Sequence, residues 1–478
     1  VWLGATRATQ ASHLNSVRLK SVTVGLDIGT TAVKAVAADE NGGIVASYRR
    51  PHKLITPSAE HFEHDALDAW HRGVLEAWHE VAAGLEVQAV CVAAFVPSLA
   101  GLDSRNQPIT PGLLYGDVRG SSDENLARPP IENGEFLGFL EWMAAAHPEV
   151  VTFCPAQAVG NAALCGEAVL DTATAMTSMP VFDGVGWDRN VCQKLGIAPE
   201  QLPRLGAGND PVGEITPANS AVCHNRSATI PLSGGTIDAL AEQITAGADQ
   251  PGDVLVVLGA TLLTWMVLDS WIEIDNLWTI PHSEPELSLV GGPSNAGGIF
   301  LNYLHQILGH GTNPPQLPAS AAPGNIPVWL PYIRGERTPL HKRSLRASLH
   351  HLNLTHGPAE LLRAGYETTG FVIRHHLELA GEHCQPQRIV ATGGGTYNPA
   401  WLQAIADATN LPVESSPIPE GAALGAAFLA RITAGLEADL SGIRRWQQPA
   451  GRVFQPNSQW QQACADRYET FKALTYAN

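Results

Sequence analysis

From Val24 to Val36 the chain reads VGLDIGTTAVKAV, a β-rich run that Asp27, Gly29, Thr30 and Thr31 interrupt and that then resumes. Glycine lets backbone N–H groups approach an anion closely, and threonine hydroxyls add donors. A carboxylate beside such a turn suits the Mg²⁺ that travels with ATP, and Lys34 adds a positive point charge. An ordinary hairpin with a buried aspartate capping its bend accounts for the same residues, so the stretch alone leaves both readings open. A second stretch, VVLGATLLTWMVL from Val256 to Leu268, repeats the scheme of strand, tight turn and strand, with Gly259 and Thr261 at the bend. Two such turns facing each other hold a polyphosphate from both sides. Further on, Gly393-Gly394-Gly395 follows a short strand, and Asn398-Pro399 opens a helix with a good N-cap and a proline at the first helical position. Glycines at that crossing leave room for a flat ring such as adenine.

The elements that carry these residues follow from periodicity. Val22 to Arg49 reads as strand, turn, strand, turn, strand, with Asn41-Gly42-Gly43 as a hairpin signal between the second and third strands. Residues 65–83 place Trp70, Val74, Leu75, Trp78 and Val81 toward one helical face. Ala89 to Val96 is a continuous apolar run, the mark of a buried strand. Residues 104–112 and 203–220 read as loops from their Gly, Pro, Asn and Ser content. A second β-rich block runs from Asp253 to Trp278. Helices are expected over about 358–380, Pro399 to Thr409 and Ala422 to Ile432, with a strand at Ile389 to Ala391. Strands then helices, twice over, predict two α/β domains, and the repeated hairpin predicts that one fold is duplicated.

Composition agrees with a globular enzyme. The 478 residues are 45% hydrophobic and 16% charged, enough for two cores. A net charge of −17 argues against a broad basic surface for nucleic acid, so an anionic ligand needs a local positive site. Seven cysteines with irregular spacing and no C-x-x-C read as free thiols in a reducing compartment, without a zinc site. The longest charge-free apolar run, Val254 to Leu268, is too short to span a bilayer. Residues 1–20 carry Arg7, Arg18 and Lys20 and no acidic residue; a transit-like segment and a disordered extension both fit, and the extension is the reading adopted.

Taken in order, GLDIGTTAVKAV, GTIDALAEQI, QPGDVLVVLGAT, VGGPSNAGG, LPYIRGERTP, ATGGGTYNPAWLQAIADATNLPV and PEGAALGAAFLA resemble the FGGY family of carbohydrate kinases from about residue 22 onward. The resemblance implies two duplicated ribonuclease H-like (actin-like ATPase) domains with a cleft between them, divided as 21–243 and 244–478. It implies phosphorylation of a sugar, sugar acid or polyol by ATP with Mg²⁺. It places the general base at Asp238, whose other reading is a helix N-cap; a carboxylate at a helix start is expected to keep a low pKa. It places Mg²⁺ at Asp27, and the phosphates at Gly29, Thr30, Thr31 and Lys34 on one side and at Gly259 and Thr261 on the other. Gly394, Gly395 and Asn398 line the adenosine pocket. Ala422, Ala423 and Gly425 are read either as ring contacts or as tight helix packing.

The acceptor half departs from the family. Pro97 in AAFVPSLAGLD stands where one family pattern has His, which removes an imidazole contact. Ser98, and Asp117 with Arg119 in LLYGDVRG, are candidate sugar contacts; the last two are equally a surface ion pair. Phe139 replaces a signature Lys, Ala260 removes a hydroxyl from the second turn, and His351 stands where relatives commonly have Gly. His350, His351 and His356 match no metal-site spacing. Arg337 in GERTP matches the family, with an interface brace as its plainer reading. The departures motivate an alternative, a nucleotide-binding regulator that has lost its kinase activity. A chaperone-type or filament-type ATPase is disfavoured by the second half of the chain. The expected partners are a small sugar or sugar acid and ATP, with no nucleic acid or membrane. A homodimer is left open, and the location expected is cytoplasmic.

Overall fold

The computed structural model describes residues 21–58, 60–120, 134–225, 229–282, 286–309, 322–416, 420–447 and 451–477. The extension expected over residues 1–20 lies outside them. Two seven-stranded sheets organise the molecule. The first holds β1 (Ser21–Ile28), β2 (Ala32–Ala38), β3 (Ile44–Pro51), β4 (Glu86–Ala94), β5 (Pro211–Glu214), β6 (Pro231–Ser233) and β7 (Thr236–Ile237). Their order is β5-β6-β4-β1-β2-β3, with β7 on β4. The second holds β8 (Asp253–Leu258), β9 (Leu262–Leu268), β10 (Trp278–Pro281), β11 (Ser288–Ser294), β12 (Arg388–Thr392), β13 (Val413–Ser415) and β14 (Arg452–Phe454), in the order β10-β11-β9-β8-β12-β13-β14.

The two sheets share one plan. β1–β2–β3 and β8–β9–β11 are antiparallel meanders. The first strand of each then takes a parallel neighbour, β4 or β12, followed by a second parallel strand, β6 or β13, and an antiparallel edge strand. The hairpin repeat in the sequence is therefore the visible trace of a duplicated sheet.

Strand alternation decides what faces what. In β1, Val22, Val24, Leu26 and Ile28 enter one core with Trp70, Val74 and Trp78. The intervening Thr23, Gly25 and Asp27 face the other way. On that side lie two helices, α4 (Asp238–Ala246) and α8 (Gly421–Thr433). The helices before them are α1 (Gly73–Ala82), α2 (Glu135–Ala146) and α3 (Ala156–Cys165), and those between them are α5 (Gly298–Ile307), α6 (Pro358–Ala380) and α7 (Pro399–Thr409). Gly25 lets α8 cross β1 at backbone distance, since a Cβ there would overlap the Ala423 carbonyl; a Cβ on Gly425 would overlap that of Ala241. Small residues of β4 and α8 complete this core, including Ala89, Cys91, Ala93, Ala426 and Ala427. Of the two readings for Ala423 and Gly425, helix packing is the one realised.

The second half has its own apolar core and a buried ionic network. Glu367 on α6 accepts from Arg363 Nε at 2.7 Å and from Arg467 Nε and Nη2 at 2.8 Å each, while Arg363 Nη2 reaches Asp407 at 2.8 Å. Each guanidinium is thus matched by a carboxylate, the condition under which buried charges are tolerated.

Some expectations shift. The helix predicted over 65–83 opens with a wider π turn, Leu67–Arg72, before α1. The segment 203–220 is not all loop: Arg204–Gly206 pairs with Val169–Asp171, β5 joins the first sheet, and Thr216 caps a helical turn at Pro217–Ser220. Strands this short show no periodicity in sequence. The β block over 253–278 divides into β8 and β9, then an irregular stretch before β10 begins at Trp278.

Candidate active site

The β1–β2 register places Asp27 directly across from Lys34, with Lys34 Nζ 3.3 Å from Asp27 Oδ2. Burial works against the Lys34 charge, but Asp27, with Glu242 behind it, outweighs burial and raises its pKa. Asp27 Oδ1 is buried and has no hydrogen-bond partner among the described residues. A bare carboxylate oxygen in such a place is costly unless something positive meets it, so the donor set fits a divalent cation.

Asp238 is the first residue of α4 and faces the same space. Its Oδ1 accepts from the Ala239 N–H at 2.7 Å. The low pKa expected from a helix start does not hold. Burial, and then the nearby Asp27 charge, push the carboxyl up to about 7, and the Ala239 bond only partly offsets them. One turn on, the buried Glu242 accepts from Thr392 Oγ1 and packs against Gly421, tying α4 to β12 and α8.

Around these groups lies a cleft of about 1050 Å³. Both predicted turns line it, Gly29, Thr30 and Thr31 from the β1–β2 bend and Gly259, Ala260 and Thr261 from the β8–β9 bend. Each bend is closed by its glycine N–H, Gly29 donating to Ala32 O at 3.0 Å and Gly259, in a tighter turn, to Thr261 O at 3.1 Å. Gly298 and Ile299, at the start of α5, donate to Gly259 O and Ala260 O at 2.9 Å each. Ala260 thus contributes a carbonyl that anchors α5, a role that needs no side-chain hydroxyl.

At the far end, Gly394, Gly395 and Asn398 line the cleft with Tyr397, Leu301, Asn302 and His305. Gly394 faces open space. Asn398 caps α7 through the Trp401 N–H, and its amide donates to Tyr366 Oη at 3.0 Å. His305 Nε2 reaches the same phenol at 3.0 Å.

Three candidates are not brought to the cleft. Ser98 is buried, and its hydroxyl accepts from Ala156 N–H at 3.0 Å, capping α3. Ser98→Ala is expected to cost about 1 kcal/mol of stability and to leave the acceptor KM unchanged, as measured by denaturation and steady-state kinetics. Asp117 and Arg119 form a two-pronged pair, Nε–Oδ1 at 2.8 Å and Nη2–Oδ2 at 2.6 Å. Asp117 is fully buried and Arg119 mostly so, which makes this no open surface pair; Asp117 also accepts from the Phe62 N–H, and Arg119 also meets Glu63.

The same cleft is lined instead by Phe95, Val96, Tyr115, Thr177, Trp278 and Arg337. The Arg337 guanidinium lies 5.1 Å from the Tyr115 ring and 5.4 Å from the Trp278 ring. Its backbone is pinned by buried Glu336, which accepts from Arg337 N–H at 2.7 Å, Asn295 N–H at 2.9 Å and Ser294 Oγ at 2.7 Å. That carboxylate joins the GERTP and VGGPSN motifs. Tyr115 went unnoticed in the sequence, although it heads the Tyr-x-Asp-x-Arg stretch. Of the other departures, Phe139 packs in the core of α2, and His351 has φ 61°, the left-handed conformation in which glycine is at ease. No cluster of three or more His, Cys, Asp or Glu side chains placed to hold a metal occurs among the described residues, and His350 instead meets Ser348.

A base that must be ionised gives a rate that rises with pH. With Asp238 in the base role that the family resemblance implies, and titrating near 7, kcat/KM is expected to climb about tenfold per pH unit below 7 and level off above it, read from acceptor-dependent ADP release.

Comparison with known proteins agrees with the geometry. Residues 22–136 match the N-terminal domain, and residues 256–434 the C-terminal domain, of the FGGY family of carbohydrate kinases. The chain is 25% identical to xylulose kinase of Escherichia coli strain K12, across 94% of this chain and 98% of the relative. It is 22% identical to gluconokinase of Bacillus subtilis strain 168, across 87% and 88%. The crystal structure of gluconate kinase from Lactobacillus acidophilus superposes with a TM-score of 0.76 at 24% identity, covering 96% of this chain and 98% of that one. That of xylulose kinase from Rhodospirillum rubrum gives 0.72 at 24% identity, covering 95% and 98%. These likenesses establish the fold, a pair of actin-like ATPase domains. With the family's two domains matched in order and its glycine turns set on either side of one cleft, the chain belongs to the FGGY family of carbohydrate kinases, phosphotransferases that use ATP.

Proposed function

We propose that the protein transfers the γ-phosphoryl group of ATP to a hydroxyl of a sugar or sugar acid, with Asp238 as the base and Asp27 as the Mg²⁺ partner. The observation that carries this is Asp238 itself, a carboxyl near pKa 7 that faces the cleft between two glycine turns. The acceptor lies against Tyr115, Val96 and Arg337 with its hydroxyl toward Asp238. As the new O–P bond forms and the bond to ADP breaks, Asp238 takes the hydroxyl proton. The Gly29–Thr31 turn and Lys34 hold the transferring phosphoryl group, and the Gly259–Thr261 turn holds the ADP phosphates. Mg²⁺ at the orphaned Asp27 Oδ1 supplies positive charge to the phosphate oxygens when bound. Gly394, Gly395 and Asn398 border the adenosine.

In this reading residues 21–243 carry the first turn and most of the acceptor contacts, with Arg337 reaching over from residues 244–478, which carry the second turn and the adenosine pocket. The seven cysteines are free and none of the described helices can cross a bilayer, which supports a reducing cytoplasmic setting. The relatives named for xylulose and gluconate put ketoses and aldonates first among the acceptors to try. The test is ADP release with Mg-ATP across a panel of ketoses, aldoses, aldonates and polyols. Stimulation by at least one supports the proposal. ATP binding without stimulation by any of them overturns it in favour of the regulator.

A further inference from the structure

Thr30 is held at two atoms by residues outside its own turn. Its carbonyl oxygen lies 2.9 Å from His64 Nε2. The tautomer follows from the other ring nitrogen. Trp70 Nε1–H, which can only donate, lies 2.9 Å from His64 Nδ1, so Nδ1 accepts and Nε2 carries the proton to Thr30. Burial pushes the His64 pKa down to about 3, which keeps this neutral form at working pH.

The side chain is held as firmly. Thr30 Oγ1 lies 2.8 Å from Tyr115 Oη in a buried hydrogen bond. Two hydroxyls bring two protons, and one bond uses one of them. If Tyr115 donates, the Thr30 proton stays available to a third group, and both residues line the cleft where a phosphate is expected. Tyr115 is itself fixed on both sides. Its ring meets the edge of Phe95 at 5.9 Å, and the Arg337 guanidinium from the second half of the chain lies over it.

We propose that Tyr115 is a positioning residue for the first phosphate turn: it donates its hydroxyl proton to Thr30 Oγ1 and so directs the Thr30 proton at a phosphate oxygen. The inference rests on the kinase reading above. Hydrogen bonds in a chain polarise one another, so the Thr30 donor is stronger with Tyr115 behind it. The same ring forms part of the acceptor wall. An acceptor that tilts Tyr115 therefore loosens the turn's grip on the phosphoryl group, while one that seats flat against it preserves that grip.

The test is a double-mutant cycle in the full chain, with Tyr115→Phe, Thr30→Val and both together, assayed with an acceptor found in the panel. Each single change is expected to lower kcat about tenfold, and the pair also about tenfold, since each removes the same chain of bonds. The acceptor KM should move less than about threefold, and the Tm should stay near that of the wild type. Wild-type kcat in Tyr115→Phe overturns the inference, as does a pair whose loss is the product of the singles. A lowered Tm with kcat retained marks a purely structural tyrosine and overturns it too. Should Tyr115→Phe fail to fold, Thr30→Ser against Thr30→Val reads the link from the other end: serine near wild type and valine tenfold down supports it, and equal losses overturn it. A wild-type enzyme that turns over no acceptor sinks the kinase reading and this inference with it, whereas active wild type with independent variants sinks the inference alone.

Discussion

Asp238→Asn is expected to lower kcat by about 10²- to 10⁴-fold while ATP still binds, because it removes the proton acceptor and leaves both phosphate turns in place. The same change is expected to stabilise the protein at alkaline pH. The Asp238 carboxyl titrates near 7 when folded, against an ordinary aspartate value of 3.8. Between those values the folded protein keeps a proton that the unfolded chain gives up. The wild type is therefore most stable with respect to this group below pH 4 and loses that contribution as pH rises through 7. The variant carries no charge there and loses nothing. Three pKa units correspond to about 4 kcal/mol, and water reaching the cleft reduces this to about 2 kcal/mol. Melting curves at pH 4.5 and pH 8 would show nearly equal Tm values at the first and a higher Tm for Asp238→Asn at the second. A lower Tm for the variant at pH 8 would mean that the carboxylate is stabilised in the fold and that its raised pKa is wrong.

The second large effect is on stability alone. Glu367→Ala takes away the acceptor shared by Arg363 and Arg467 and leaves Arg363 only Asp407. A cluster of two cations and two anions becomes one of two cations and one anion in the same buried place. Breaking such a network costs about 3–5 kcal/mol, read as a lowered urea midpoint at pH 7. Although burial disfavours the Glu367 charge, the two guanidinium groups outweigh it and hold its pKa below the usual range. Its contribution is thus present at neutral pH and fades as pH falls through that lowered value. None of these four side chains lines the cleft, so kcat of the folded protein should be unchanged. A loss under about 1 kcal/mol would show that the freed arginines find other partners.

Elements with local signatures were legible in the sequence. The strand–turn–strand repeat, the 358–380 helix and the Asn398–Pro399 helix start all depend on periodicity or on adjacent residues, and they appear where expected. The two glycine turns and Asp238 share one cleft for the same reason: each sits at the end of a strongly marked element. The residues proposed to meet the acceptor were not legible. Ser98 caps a helix that begins at Ala156, and Asp117 answers the backbone of Phe62, so both polar side chains are used up by partners far along the chain. Tyr115 and Arg337 come together from opposite halves of the chain, and no local pattern reports such a meeting. The pKa of Asp238 was misjudged because a helix start is visible in sequence, while burial beside Asp27 is a tertiary fact.

The crossing of α8 over β1 also bears on the order of synthesis. β1 is among the first parts of the fold to leave the ribosome, yet the helix that covers its Gly25 face contains Ala423 and arrives near the end of the chain. Until then the small-residue face of β1 and β4 has no cover from α8, and closing it joins segments about 400 residues apart, a contact that is slow to form. The first sheet is therefore begun long before it can be finished, and until α8 emerges the nascent chain carries an exposed, aggregation-prone face.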